Sequence, residues 1–202
     1  MGSKRTALNA EDGSSKKLKT DGGHWSLGLL DAIKDPDNLV RQNATLVVIK
    51  DKYPKAKFHY LIVPKEDISS LKQVRKEHIK LMEQMQAMAE DIIEEDRHKE
   101  SNFKIGFHAE ASMLRLHLHV ISDDMNSNSV KTKKHWNSFT TKFFLDSKEV
   151  LSQLKRDGAV SLPSAEICKE LLNTPIKCHK CKYIPKHMPD LKKHIITHLQ
   201  KA

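Results

Sequence analysis

The chain of 202 residues lacks three features that would place it in a membrane or outside the cell. No apolar run approaches the roughly 18 residues that a helix needs to cross a bilayer. No secretory signal peptide is visible at the start. Only three cysteines are present, an odd number, which argues against a disulfide framework and favours an intracellular protein. Cys168 stands alone and is expected to be an ordinary packed or surface thiol.

Acidic residues are also in deficit. The chain has 35 Lys and Arg against 26 Asp and Glu, a net charge of +9. This balance favours a polyanionic partner such as nucleic acid, although many soluble proteins are basic without one. The length suits one ordinary domain with a small appendage.

Residues 1–23 are poor in apolar side chains and are predicted to be a disordered basic tail. Lys4 and Arg5 are followed by a ten-residue spacer and the cluster Lys16, Lys17 and Lys19. This layout is typical of a bipartite nuclear localisation signal and predicts a nuclear protein.

Apolar periodicity in the remainder predicts an α+β domain with an antiparallel sheet and flanking helices. The predicted elements are a helix from about Trp25 to Pro36, strands at 44–50 and 57–64 forming a hairpin, a long helix within 67–97, and strands at 102–109 and 114–122. Methionines on the long helix are expected to fill the core.

The last of these strands, "LRLHLHVIS", alternates polar and apolar residues, so Arg115, His117 and His119 are predicted to share one face. Two core histidines with backbone partners would explain this pattern equally well. Further polar and titratable residues are nevertheless predicted to converge on the same sheet edge, namely Asp51, Lys55, His59, His108 and Ser112.

Residues 128–160 mix lysines with aromatic residues. Lys133, Lys134, His135 and Trp136 form the densest part of this segment. Such a mixture suits a nucleic-acid surface, because charge binds phosphates and flat rings stack on bases. A connecting helix with an aromatic core face and a solvated lysine face explains it as well.

The spacing of Cys178, Cys181, His194 and His198 is that of a two-Cys, two-His structural zinc finger. Leu191 is the expected core leucine, and Pro185 occupies the usual aromatic position, so Ile184 or Tyr183 is expected to replace it in the core. His179 and His187 are expected to be bystanders. Residues 176–202 contain seven lysines and one acid, which favours contact with nucleic acid.

These features resemble a known family. The strand with His117 and His119 resembles the histidine triad motif of nucleotide hydrolases and transferases, and "VIKDKYPKAKFHYLIVPK" resembles that family's first hairpin. Together with "KKHWNSF" and the finger, the chain from about residue 24 onwards resembles the aprataxin branch of the family. The resemblance implies a hydrolase of nuclear DNA repair that removes AMP from 5′-adenylated DNA left by abortive ligation.

The resemblance also implies roles for individual residues. His117 would be the nucleophile that forms a covalent His–AMP intermediate, and His119 would hold the phosphate or orient the ring. His108 would protonate the leaving oxygen. The remaining predicted contacts are Asp51 with the ribose hydroxyls, His59, Lys55 and Ser112 with the phosphates, and Trp25 as a wedge against the terminal base pair. Trp25 could equally cap the core.

Arg115 departs from the motif, which has histidine at this first position. The arginine could bind phosphate through its fork of donors or hydrogen-bond outward, and whether it is natural or engineered is open. The sequence is divided into a tail (1–23), a catalytic domain (24–160) and a finger domain (161–202).

The implied ligands are structural zinc and AMP as product, with no metal needed for the chemistry. The implied partners are 5′-adenylated DNA nicks or ends, RNA–DNA junctions and DNA-repair proteins, with no membrane. Two alternatives remain: a general hydrolase of nucleoside phosphoramidates or dinucleoside polyphosphates, and a non-catalytic DNA-binding module.

Overall fold

The structure, a computed structural model, describes residues 28–199. The strands are β1 (Leu39–Gln42), β2 (Leu46–Lys50), β3 (His59–Pro64), β4 (Phe103–His108), β5 (Leu118–Ser122) and β6 (Phe144–Asp146). The α-helices are α1 (Gly28–Lys34), α2 (Ile79–Ile93), α3 (Lys133–Thr140), α4 (Ser147–Asp157), α5 (Ala165–Asn173) and α6 (Met188–Leu199). No helix among these is long and apolar enough to cross a membrane. The predicted disordered tail, its basic clusters and Trp25 lie outside the described residues.

The six strands form one antiparallel sheet in the order β1-β2-β3-β5-β4-β6. Val48 pairs with Ile62 across β2 and β3, so the predicted hairpin is confirmed. The predicted α+β class with an antiparallel sheet and flanking helices is confirmed as well. The short strand β1 was not predicted from the sequence.

Both faces of the hairpin strands are covered, which explains their nearly continuous apolar sequence. Leu46, Val48, Tyr60 and Ile62 face the core that includes Met85 and Ala89 of α2. The alternate residues of the same strands pack with Leu29 of α1 on the opposite face. The expected role of the α2 methionines as core residues is confirmed, because Met82, Met85 and Met88 are all buried.

The helix predicted within residues 67–97 is shorter than expected. Only Ile79–Ile93 is α-helical, and two 3₁₀ turns, Leu71–Gln73 and Lys76–His78, precede it. The carbonyls of Ile68 and Ser69 accept hydrogen bonds from the amides of Leu116 and Arg115, so this backbone pairs with a distant segment rather than with its own next turn.

The strand predicted at 114–122 is also shorter, because β5 begins at Leu118. Arg115 has a φ of 102°, in the left-handed region that residues with a side chain rarely adopt. The strict alternation of polar and apolar residues therefore does not correspond to a continuous strand. His119 lies on β5, and His117 lies at the end of the loop that leads into this strand.

The aromatic residues of the basic segment face the interior. Trp136, Phe139 and Phe143 are 1%, 2% and 4% exposed. The Thr132 side chain accepts from the His135 amide and caps the start of α3. The aromatic residues of segment 128–160 therefore form the core face of a connecting helix and not a surface for stacking on bases.

Gly106 allows the sixth strand to close the sheet beside the histidines. A Cβ there would lie 2.3 Å from the Leu145 carbonyl oxygen and 2.7 Å from the Phe144 ring. Gly106 pairs with Asp146 on one side and with His119 on the other. The missing side chain thus lets Phe144 pack over the strand that carries His119.

Candidate active site and metal centre

Three neighbouring strands bring four histidines together. His59 begins β3, His108 ends β4, and His117 and His119 lie at the start of β5. Residues 59 and 119 are diagonal neighbours on one face, because Leu61 pairs with His119 and His59 pairs with Ile121. The structure therefore brings together the four histidines that the sequence placed at one site.

His59 and His119 are joined by a hydrogen bond of 2.9 Å between Nε2 and Nδ1. The amide of Lys55 donates to His59 Nδ1 at 3.2 Å, so His59 carries its proton on Nε2 and donates it to His119. The proton of His119 is then on its own Nε2. That buried nitrogen has no partner in the part of the chain that the structure describes, and it is therefore a free donor.

Burial keeps these imidazoles neutral. It lowers the pKa of His59 to about 4, against the opposing effect of Asp51. The pKa of His119 lies well below its usual range, and burial is the main cause. The next cause is the positive charge that His108, His117 and His59 would carry when protonated. Near pH 7 the site thus presents nitrogen donors and acceptors without net charge on these rings.

His117 is held with one nitrogen available for attack. Its Nδ1 lies 2.8 Å from the carbonyl oxygen of Arg115, which can only accept, so Nδ1 carries the proton. Nε2 consequently bears the lone pair. Burial lowers the pKa of His117, while its bond to the Arg115 carbonyl and Asp51 raise it. The ring centroid lies 4.9 Å from that of His119.

His108 completes the cluster. Its ring centroid lies 4.4 Å from that of His119, and its buried Nε2 has no partner among residues 28–199. Burial and then His117 hold the pKa of His108 well below its ordinary value. Two buried imidazole nitrogens without partners, on His108 and His119, thus belong to neighbouring rings.

Phe139 is a site residue that the sequence did not single out for this role. Its ring centroid is 5.3 Å from those of His59 and His119 and 4.7 Å from that of His108. It forms an apolar wall that excludes water from one side of the imidazoles, which contributes to their low pKa values. The only signal available beforehand was its place in the aromatic segment.

Asp51 and Lys55 lie on the turn before His59, as predicted. Asp51 Oδ2 is 3.5 Å from His59 Nδ1, and Oδ1 accepts from the Tyr53 amide at 2.7 Å. The Lys55 ammonium donates to the Tyr53 carbonyl. Burial lowers the pKa of Lys55, while Asp51 raises it. Ser112 is exposed on the loop between β4 and β5.

Arg115 does not point with the two histidines. Its guanidinium binds Asp67 and three backbone carbonyls on the turn after β3. Of the two possibilities for this residue, hydrogen bonding outward is the one seen. In this conformation the guanidinium is taken up by these partners, and its contact with phosphate stays a prediction.

Of the residues predicted to contact DNA, Trp136 is a core residue in this structure. Its indole N–H donates to the Lys177 carbonyl at 3.0 Å, so its ring is not available for stacking on a base. Lys133 donates to the Asn173 carbonyl at 2.7 Å. Lys134 is exposed and His135 is half-buried, and both lie on the same helix.

The four predicted zinc ligands converge. Cys178 Sγ is 3.4 Å from His198 Nε2, and Cys181 Sγ is 3.1 Å from His194 Nε2. The two Nε2 atoms are 3.2 Å apart. Two sulfurs and two imidazole nitrogens facing a common point suit tetrahedral Zn²⁺, so these residues would hold a structural zinc ion. Asp51, His59 and His119 also offer ligand atoms within 4.8 Å of one another. The His59–His119 hydrogen bond and the position of Asp51 on the turn before His59 account for that proximity.

The core of the finger differs from the expectation. Leu191 is buried as predicted, but Ile184 is 76% exposed and Tyr183 is 37% exposed. Pro185 itself is buried and occupies the usual aromatic position. Tyr183 instead stacks on His194, with a centroid separation of 4.0 Å, and donates to Asp190.

The finger packs against the histidine domain. Cys178, Leu191 and Ile195 share a cluster with Ile121 and Phe139. His179 is not among the four converging ligand residues, which agrees with the expectation that it is a bystander to the metal. It contributes to the docking instead, because its Nε2 lies 2.8 Å from the Asp123 carbonyl oxygen and its ring packs 5.1 Å from the Trp136 ring. Strand β5 and the wall residue Phe139 are therefore in one core with a zinc ligand.

An antiparallel sheet with this histidine cluster, joined to a Cys2His2 centre, defines a histidine triad domain with a zinc finger. The family profile described as scavenger mRNA decapping enzyme C-term binding matches residues 24–135. The profile described as C2HE / C2H2 / C2HC zinc-binding finger matches residues 140–201. The chain therefore belongs to the family that the first profile describes.

Aprataxins are among the relatives that it resembles along most of its length. Aprataxin from Gallus gallus is 44% identical over 198 residues, covering 98% of this chain and 62% of that protein. Aprataxin from Danio rerio is 48% identical over 179 residues, covering 88% and 54%. The chain thus spans little more than half the length of these relatives. A crystal structure of the aprataxin orthologue Hnt3 in complex with DNA has a TM-score of 0.73 at 26% identity, covering 88% of this chain and 96% of that one.

Proposed function

We propose that the chain hydrolyses 5′-adenylated DNA and releases AMP through a covalent intermediate on His117. The observation that carries the proposal is the Nδ1–H bond from His117 to the Arg115 carbonyl, which leaves Nε2 unprotonated beside the other histidines. A neutral imidazole is an effective nucleophile near pH 7. The similarity to aprataxins and to a DNA-bound orthologue supports the choice of substrate.

In the first step, His117 Nε2 attacks the α-phosphorus of the adenylate. A P–N bond forms and the P–O bond to the 5′-phosphate of the DNA breaks, with the bonding electrons going to that oxygen. His108 supplies a proton to the leaving oxygen. Its pKa is low in the free protein, but bound phosphates carry negative charge, which favours the protonated ring.

In the second step, water attacks the same phosphorus. His108, which gave up its proton in the first step, takes a proton from this water. The P–N bond breaks, the electron pair returns to Nε2 of His117, and AMP leaves. In this proposal the Nε2–H of His119, which has no partner in the described residues, donates to a phosphate oxygen. Lys55 adds positive charge, and Asp51 accepts from the ribose hydroxyls. In this proposal phosphoryl transfer depends on such positioning and charge, and zinc has a structural role.

A gel assay on nicked duplex DNA carrying a labelled 5′-adenylate tests the proposal. The protein is expected to convert the substrate to 5′-phosphate DNA with release of AMP. A second nick with a ribonucleotide at the junction tests RNA–DNA junctions. Dinucleoside polyphosphate and nucleoside phosphoramidate are assayed in parallel, since the same histidines could act on small nucleotides.

If the protein bound the DNA without releasing AMP, the proposed hydrolase would be rejected in favour of a non-catalytic DNA-binding module. A higher kcat/KM on the small substrates than on adenylated DNA would favour the general nucleotide hydrolase instead. Exposed Lys134 of α3 and the exposed lysines of the finger argue for the polynucleotide, because a small substrate needs no extended basic surface. Binding of DNA-repair proteins is part of the same proposal and is tested by pull-down on adenylated nicks.

We further propose that the protein acts in the nucleus, on the basis of the basic clusters at 4–5 and 16–19. Replacing these lysines and the arginine with glutamine should redistribute a fluorescent fusion from nucleus to cytoplasm. The control for the same loss of five charges is a variant with five exposed lysines replaced by glutamine, namely Lys65, Lys72, Lys80, Lys99 and Lys169. An unchanged nuclear signal in the tail variant would reject the assignment to these clusters.

A further inference from the structure

Arg115 occupies the position at which the histidine triad motif breaks, and its backbone is unusual. With a φ of 102° it is one of two residues other than glycine with positive φ in the described part of the chain. Such a conformation is strained for a residue with a Cβ and persists only where the surroundings hold it. The feature therefore requires an explanation in terms of what fixes Arg115.

The guanidinium supplies that explanation. One terminal nitrogen donates to Asp67 Oδ1 at 3.0 Å, and the other lies 2.9 Å from the Pro64 carbonyl oxygen. The second nitrogen also lies 3.2 Å from the Lys65 carbonyl oxygen and 2.9 Å from that of Glu66. The backbone amide of Arg115 donates to the Ser69 carbonyl at 2.9 Å. Both the side chain and the amide thus tie Arg115 to the turn that follows β3.

The carbonyl of the same residue accepts the His117 Nδ1 proton at 2.8 Å. This bond selects the tautomer of the imidazole and leaves the lone pair on Nε2. That carbonyl belongs to the same planar peptide unit as the Leu116 amide, which donates to the Ile68 carbonyl at 2.7 Å. The peptide is thus held on one side by the Leu116 amide and on the other by the backbone of Arg115, whose φ is 102°. The arginine side chain is therefore connected, through its own main chain, to the nitrogen that would attack phosphorus.

We propose that Arg115 is a positioning residue whose guanidinium, bound to the Pro64–Asp67 turn, fixes its own carbonyl and thereby the orientation and tautomer of His117. The part of this inference that concerns catalysis rests on the proposed function. Arginine suits the task because its planar fork can bond a carboxylate and several carbonyls at once. Lysine offers one ammonium nitrogen in place of the two terminal nitrogens used here.

The test combines single-turnover kinetics on adenylated DNA with ¹⁵N NMR of the His117 ring, whose signals are assigned with His117→Gln. We expect Arg115→Ala to lower the rate of nucleotidyl transfer about 10- to 100-fold, as misplacement of a reacting group does, with KM changed by less than about twofold. The ring signals should change from the Nδ1–H tautomer to a mixture of tautomers. Arg115→Lys should give an intermediate result.

Arg115→Gly separates the effect of losing the side chain from the effect of backbone strain at this position. Glycine adopts a positive φ readily, so this variant should recover part of the rate lost in Arg115→Ala and serves if the alanine variant does not fold. Arg75→Ala is the matched control, because the Arg75 guanidinium also donates to backbone carbonyls, those of Lys72 and Val74. It should leave both the rate and the His117 signals unchanged.

A wild-type rate and wild-type His117 signals in Arg115→Ala and Arg115→Gly would overturn the proposal. So would a large rise in KM with the His117 signals unchanged, because that result means that Arg115 contacts the substrate. The NMR experiment uses no substrate. If the wild-type protein proved inactive on adenylated DNA, the proposed function would fail while the role of Arg115 would still be decided.

Discussion

Replacing His117 with alanine is expected to abolish release of AMP from adenylated DNA. Removing a covalent nucleophile can cost on the order of 10⁶-fold in kcat, so residual turnover should fall below detection in a gel assay. His117 Nδ1 is bound to the Arg115 carbonyl, which leaves Nε2 available for attack. His59 Nε2 and His119 Nδ1 already bond to each other.

Binding should survive this change. The alanine removes a ring that is 5% exposed and leaves the lysines of α3 and the finger in place, so the dissociation constant for a nicked duplex should change by less than about threefold. Trapping supplies a second readout. Wild-type protein quenched in acid-free denaturant with labelled adenylate should carry a covalent label that the His117→Ala protein lacks.

His187→Ala is the matched control for loss of a histidine. The His187 ring is exposed on the finger and accepts a hydrogen bond from the Asp190 amide, so its removal should leave the single-turnover rate unchanged. Turnover in His117→Ala within tenfold of wild type would exclude His117 as the nucleophile. Loss of DNA binding in the same variant would instead indicate a folding role for the ring.

Short-range patterns were sufficient for the β2–β3 hairpin, the core of the long helix and the identity of the histidine cluster, although not for β1. Alternation in "KFHYLIVP" predicted the strand with His59, and the polar positions of the next strands predicted His108 and His119. Because antiparallel neighbours in a sheet face the same way, these side chains had to meet once the strands paired. The zinc ligands were equally predictable, since their spacing is set by the metal.

Local patterns could not predict Arg115. Its alternation with His117 and His119 suggested one strand face, yet its side chain and amide bind a turn about 50 residues away in sequence. A bond between such distant residues overrides local preference, and nothing in the nine-residue segment indicates the partner. The same reason applies to the 3₁₀ turns before α2, whose preceding carbonyls are taken by Arg115 and Leu116.

The contacts between the finger and the rest of the chain, which involve Phe139 and His179, could not be predicted from the sequence either. The sequence indicated that aromatic residues accompany the lysines of α3. A nucleic-acid surface and a connecting helix with an aromatic core face were the two interpretations, and they differ in whether the rings point to solvent or to the core. Burial of Trp136 and Phe139 decides between them, and it depends on the finger packing against that helix. Spacing within the finger specifies a metal site but carries no information about the surface to which the finger docks.

This docking leads to the prediction with the second largest effect. Cys181→Ala is expected to remove bound zinc, to unfold the finger, and to lower the melting temperature by about 10 °C or more, since each kcal/mol shifts it by about 2–4 °C in a chain of this size. Structural zinc contributes about 10–16 kcal/mol to folding in isolated fingers. Cys181 is exposed, so the loss reflects the ligand and not an emptied core.

The effect should extend beyond the finger. Cys178, Leu191 and Ile195 pack with Ile121 and Phe139, which adjoin the histidines. Loss of zinc is therefore expected to weaken DNA binding and also to change Trp136 fluorescence, because its indole N–H bonds to Lys177 of the finger. Metal content, melting temperature and DNA affinity are measured on the same preparations, with zinc chelation of the wild type as a second route to the same state.

Cys168→Ala is the matched control, because Cys168 is buried with Ala109 and Phe143 and lies apart from the four metal ligands in the described structure. It should retain zinc and lose only a few degrees of stability, as truncation of a small buried side chain does. Zinc retained in Cys181→Ala would contradict the ligand assignment. A finger docked through Lys177 and Cys178 cannot unfold without altering the surroundings of the Trp136 ring. If zinc were lost while Trp136 fluorescence stayed unchanged, the finger would therefore fold independently of the sheet.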